Sequence, residues 1–97
     1  MSNFEWLIDW FASQCDGDWE HQSGVKLESL DNPGWHLEVD LVGTRLEDRP
    51  FEKVEHDLKS DVSWWVCRVE HGRFDAHCGP RDLSAVIGVF RGWASET

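Results

Sequence analysis

The chain has 97 residues, of which 40% are hydrophobic, and contains seven tryptophans and no tyrosine. Its 19 acidic residues outnumber 9 basic ones, and the resulting formal charge of −10 disfavours binding to nucleic acid or to an anionic membrane. The same charge also suits plain solubility. Length and composition predict one globular domain over residues 1–97.

The cysteines and the N-terminus indicate the compartment. Three irregularly spaced cysteines do not form a disulfide framework. The first residues lack the basic start and continuous apolar run of a secretory signal, and no stretch has the length of a membrane span. We therefore expect a cytoplasmic protein.

Helical spacing predicts a helix at each end of the chain. The first carries Phe4, Leu7, Ile8 and Phe11, and the second carries Leu83, Val86, Ile87 and Phe90. Asn3 is the predicted cap of the first helix, and the loop opened by Asp16 ends it. Gly88 in the second helix predicts that a neighbouring element approaches closely.

Between the helices the period changes to two, which is typical of half-buried strands. The clearest strand places Trp35, Leu37, Val39 and Leu41 on one face. Further strands are predicted over residues 25–29, 51–58, 64–70 and 73–78. The segment 31–34 predicts a type II turn with positive φ at Gly34, and His71-Gly72 predicts a hairpin turn.

These elements predict an α+β, two-layer fold: an antiparallel β-meander of about five strands, with the N- and C-terminal helices packed on one face. The other face is then open to solvent. Its residues are mostly charged, and they include Lys26, Glu28, His36, Glu38, Asp40, Arg68 and Asp75. We interpret it as a solvated face, with docking as the lesser alternative.

A zinc site at Cys67, His71, His77 and Cys78 is not expected. A two-residue turn at His71-Gly72 sets Cys67 opposite Ala76 and Val66 opposite His77. Because side chains alternate between faces, Cys67 then points away from His77, and no tetrahedral set forms. We predict neither a metal nor a cofactor.

Two cysteines nevertheless raise an enzymatic alternative. Cys67-Arg68, with Gly72-Arg73 downstream, is faintly similar to the thiol loop of rhodanese-like sulfurtransferases, and Cys15 could pair with His21 as nucleophile and base. A small thiol enzyme using Cys67 or Cys15 is therefore the second hypothesis, and self-association through exposed indoles is the third. We expect the protein not to be an enzyme, because an oxyanion hole and alternating βα units are both missing from the pattern.

The most informative stretch connects the first helix to the first strand. It contains the predicted partner-binding residues Asp16, Asp18, Trp19, Glu20 and His21. An indole ringed by carboxylates can engage arginine or lysine on a partner through charge-assisted hydrogen bonds. The alternative is an ordinary loop whose indole folds back onto the core.

The chain resembles the immunity protein 53 family of bacterial polymorphic toxin systems. The resemblance rests on the tryptophan-rich first helix, residues 15–21, 31–35, 46–51 and 64–69, Phe74, Gly79-Pro80 and the closing helix ending at Trp93. It implies a small α+β protein that neutralises a toxin encoded beside it, and a binder instead of an enzyme. It identifies neither the toxin nor a binding residue. From the charge we expect a cationic toxin, for which a nuclease with a basic cleft is a suitable example.

Overall fold

The structure is a computed structural model that describes residues 1–96. Its helices are α1 (Asn3–Gln14), α2 (Trp19–Gln22) and α3 (Leu83–Ala94), and its strands are β1 (Val25–Leu30), β2 (Gly34–Asp40), β3 (Val54–His56), β4 (Trp65–Glu70) and β5 (Arg73–Cys78). All strand pairs are antiparallel. The predicted α+β class, the five strands and the two terminal helices are thus confirmed, whereas the single turn of α2 was expected to be loop.

The strand order is β1-β2-β5-β4-β3, so the predicted meander is wrong. The long connection from β2 to β3 buries Leu46 completely. Arg45 and Arg49 of this connection donate hydrogen bonds to the carbonyl oxygens of Ala94 and Trp93 at the end of α3. Because this connection runs past α3 to the far edge, the β4–β5 hairpin lies between β2 and β3.

Helix α1 begins one residue away from the predicted cap. Ser2 is the N-cap, and it forms a capping box with Glu5. The Asn3 side chain instead donates a 2.9 Å hydrogen bond to the carbonyl oxygen of Ser84 in α3. A Cβ atom at Gly88 would lie 2.9 Å from Asn3 Nδ2, which confirms the predicted close approach.

The turn between β1 and β2 differs from the predicted type II turn. The Asn32–Pro33 peptide bond is cis, and Gly34 belongs to β2 without a positive φ. Gly34 is required there for a different reason, because a Cβ atom would overlap the carbonyl oxygen of Cys78 on the adjacent strand. The glycine serves strand packing and not turn geometry.

The core lies between the sheet and the two long helices. Phe74 on β5 contacts Phe90 on α3, and Phe90 contacts Trp6 and Trp10 on α1 through edge-to-face rings. Three of the seven indoles are buried and the other four are half-buried. Within residues 1–96, no helix is both long enough and apolar enough to span a membrane.

Candidate functional site

Residues 15–22, here called the acidic loop, are fixed by their own carboxylates. Oδ1 of Asp16 accepts hydrogen bonds from the backbone N–H groups of Asp18 at 2.9 Å and Trp19 at 3.0 Å. Glu20 accepts from the backbone N–H groups of Asp16 at 2.9 Å and Gly17 at 2.9 Å. Gly17 has φ +95°, which few other residues adopt. The loop therefore has a defined conformation.

These hydrogen bonds shift the acid–base behaviour of both carboxylates. The backbone N–H groups of Trp19 and then Asp18 lower the pKa of Asp16. The backbone N–H of Glu20 itself, followed by those of Asp16 and Gly17, lowers the pKa of Glu20. Both groups are thus held as anions, and their negative charge contributes to the loop's structure.

Trp19 is a core residue with only 8% of its surface exposed. Its Nε1–H donates a 3.0 Å hydrogen bond to the carbonyl oxygen of Val42, and its ring meets Trp10 edge-on at 6.1 Å. Of the two alternatives predicted for this loop, an indole ringed by carboxylates and an indole folded back onto the core, the structure has the second. The sequence could not separate these two outcomes, because the burial comes from elements distant along the chain.

The surface around this indole is formed by two loops together. Asp18 and His21 are exposed, and Val42, from the loop after β2, is 54% exposed. Asp16, Asp18 and Trp19 line a shallow cleft together with Val42 and Gly43. We call this surface the loop cleft. The exposed apolar residue that it presents is Val42, which belongs to none of the motifs in the sequence.

The open face of the sheet carries the charged residues predicted for it. His36 Nδ1 lies 3.0 Å from Oε1 of Glu28, and His36 Nε2 lies 2.5 Å from Oδ1 of Asp75. Glu38 Oε1 is 3.5 Å from the same Nε2 atom. Arg73 donates a 2.9 Å hydrogen bond to Asp40. The solvated face is therefore an ordered network of ion pairs.

A second histidine completes this network. His36 and His77 are directly opposite on β2 and β5, and their rings stack at 4.1 Å. Partial burial lowers the pKa of His36, but the hydrogen bonds to Glu28 and Asp75 outweigh burial and raise it. Burial and the neighbouring His36 lower the pKa of His77. Nitrogen and oxygen atoms of His36, Asp75 and His77 lie within 4.8 Å of one another, so these residues could hold a metal ion.

The three cysteines lie in surroundings that disfavour the thiolate form. The predicted register is confirmed, since Cys67 pairs with Ala76 and Val66 with His77. Burial raises the pKa of Cys67 to about 12 and that of Cys78 to about 11. Burial and the charges of Glu20 and Asp16 raise the pKa of Cys15. All three thiols therefore lack the lowered pKa on which thiol catalysis depends.

The fold and these surfaces define a small α+β protein with a preformed acidic loop and a charged open sheet face. The chain belongs to the Immunity protein 53 family, whose sequence model matches residues 4–95. This match confirms the resemblance inferred from the loop and turn motifs. No curated protein and no solved structure is significantly similar to the chain.

Proposed function

We propose that the protein binds a cognate bacterial toxin in the cytoplasm and neutralises it as a stoichiometric inhibitor without catalysis. Membership of the Immunity protein 53 family supports a toxin partner. The formal charge of −10 supports a cationic toxin, and a nuclease with a basic cleft is the target class that we propose.

The observation that carries the proposed interface is the preformed acidic loop. Asp16 and Glu20 fix its backbone, and the buried Trp19 attaches it to the core. Asp18 and His21 are exposed on this rigid support. Because the acidic loop is already ordered, binding to a partner would cost it little conformational entropy.

The five loop residues proposed for binding have different roles. Asp18 contacts the partner's arginine or lysine, and His21 is a hydrogen-bonding neighbour. Asp16 and Glu20 add negative potential and shape the loop, while Trp19 supports it from beneath. Val42, on the other side of the loop cleft, supplies the apolar contact that an interface core requires.

The test uses the toxin domain encoded beside this chain's gene. Replacing Asp16, Asp18 and Glu20 together would also disrupt the loop, so the sharper variant is Asp18→Lys alone. The matched control is Asp61→Lys, because Asp61 is an exposed acid beside the turn at Asn32, at the opposite end of the sheet. Stopped-flow association rates are measured for both variants and the parent chain at several salt concentrations.

We expect Asp18→Lys to slow association several-fold and to weaken its salt dependence more than Asp61→Lys, because a charge within the interface acts at short range. Equal effects of the two variants would contradict the loop as the interface. Failure of the parent chain to bind or inhibit the toxin would contradict the proposed function itself.

A further inference from the structure

We propose that His36, His77 and Asp75 form a binding site for a divalent transition-metal ion, Zn²⁺ in the first instance, on the open face of the sheet. This site is independent of the loop cleft and of the proposed toxin-binding function. Two imidazoles and one carboxylate are a ligand set suited to Zn²⁺.

The strands themselves bring these ligands together. His36 and His77 are paired across β2 and β5, and Asp75 lies two residues before His77 on the same face. Tetrahedral Zn²⁺ with bonds of about 2.0–2.1 Å holds its ligand atoms roughly 3.4 Å apart. The three candidate atoms lie within 4.8 Å of one another, so metal binding requires side-chain rotation that draws them closer and reorients the stacked His36 and His77 rings.

The surroundings of His36 resemble the support that metal-binding histidines have. Glu28 Oε1 lies 3.0 Å from His36 Nδ1, which leaves Nε2 facing Asp75. A carboxylate on the second ring nitrogen fixes the tautomer and orientation of a metal-binding imidazole. Glu38 Oε1, 3.5 Å from His36 Nε2, is a further oxygen at the same position.

The charge around the cluster also favours a cation. Glu28, Glu38 and Asp75 contribute three carboxylates within 3.5 Å of His36. Arg68 lies opposite Asp75 on β4, and Arg73 is held by Asp40 at 2.9 Å, so the two arginines only partly offset these negative charges. Because the sheet supplies ligands from one side only, a bound ion keeps a coordination position open to water. The site is therefore suited to an exchangeable ion.

The test titrates the full chain with Zn²⁺ alone by isothermal calorimetry, and follows the five imidazoles by NMR. We expect one ion per chain, with shifts confined to His36 and His77. His36→Gln and His77→Gln should each weaken binding more than tenfold. Glu28→Ala should weaken it about 10- to 100-fold, as the loss of a supporting carboxylate typically does.

Two control variants distinguish binding at this site from the general affinity of Zn²⁺ for histidine side chains. His71→Ala changes a histidine that borders the same pocket but lies outside the cluster, and Glu55→Ala removes one exposed carboxylate from the sheet without touching His36. Both should bind Zn²⁺ like the parent chain. Glu28 is 69% exposed, so Glu28→Ala keeps the test valid if a histidine variant does not fold. Unsaturable binding, or equal loss in the controls, would show that His36 is only a bridge between carboxylates.

Discussion

The indole N–H of Trp19 donates a 3.0 Å hydrogen bond to the carbonyl oxygen of Val42, 23 residues further along the chain. This bond joins the acidic loop to the loop after β2. A Cβ atom at Gly43 would lie 3.2 Å from the same indole, which shows how closely the two loops pack. The loop cleft therefore depends on a core residue, although both loops that form its surface are exposed.

Replacing Trp19 should destabilise the protein, and the loss should be larger when the ring is removed together with its hydrogen bond. Trp19→Phe keeps an aromatic ring but leaves the Val42 carbonyl without its partner, and we expect a loss of about 1–3 kcal/mol. Trp19→Ala also leaves a cavity, and we expect about 3–5 kcal/mol. Urea unfolding measures both. Trp35→Phe is the control, since its N–H bonds to Pro80 in an exposed position and should cost less. A Trp19→Phe variant as stable as the parent would contradict this account.

Acid should destabilise the acidic loop, because the pKa of Asp16 is lowered in the folded protein. A carboxyl group whose pKa is lower in the folded state stabilises that state at pH above its unfolded pKa. This stabilisation is lost as the pH falls through the folded pKa. Asp16→Ala should therefore be less stable than the parent at neutral pH, and the difference should shrink toward acid.

Urea unfolding at several pH values between neutral and strongly acidic conditions gives this comparison. The control is Asp61→Ala, because none of the hydrogen bonds or ion pairs identified within residues 1–96 involves the Asp61 side chain. Its stability difference from the parent should be small at neutral pH. A deficit in Asp16→Ala that stayed constant down to strong acid would mean that the charge of Asp16 contributes nothing.

The thiols should behave as structural groups. At neutral pH a thiol-specific reagent should label partly exposed Cys15 slowly, with a rate that rises with pH because its pKa is raised. Cys67 and Cys78, with pKa values raised to about 12 and about 11, should react only after denaturation. A cysteine that reacted rapidly below pH 7 would restore the thiol-enzyme hypothesis.

Two glycines should respond oppositely to alanine. Gly34→Ala places a Cβ atom against the carbonyl oxygen of Cys78, so we expect a loss of about 1–3 kcal/mol or more from the required backbone shift. Gly92, near the end of α3, has nothing within 4 Å of its added Cβ atom. Gly92→Ala should stabilise the protein by about 0.5–1 kcal/mol, because alanine is the better helix former. Thermal and urea unfolding compare the pair, and a destabilised Gly92→Ala would oppose the argument.

Local patterns predicted much of this fold. The spacing of Leu83, Val86, Ile87 and Phe90 predicted α3, and the alternation of apolar residues predicted β2 and β5. The pairing of Cys67 with Ala76 followed from a two-residue turn. These features depend on neighbours in sequence, for which periodicity and turn length are sufficient.

The sequence by itself therefore determined the two long helices, the five strands, the α+β class, the family resemblance and the charge of the open face. Only the tertiary structure decided that β5 pairs with β2, that Trp19 is buried, and that His36 meets His77. The reason is that pairing between distant segments is selected by the total burial of apolar surface across the whole chain. That total burial cannot be read from any short segment of the sequence.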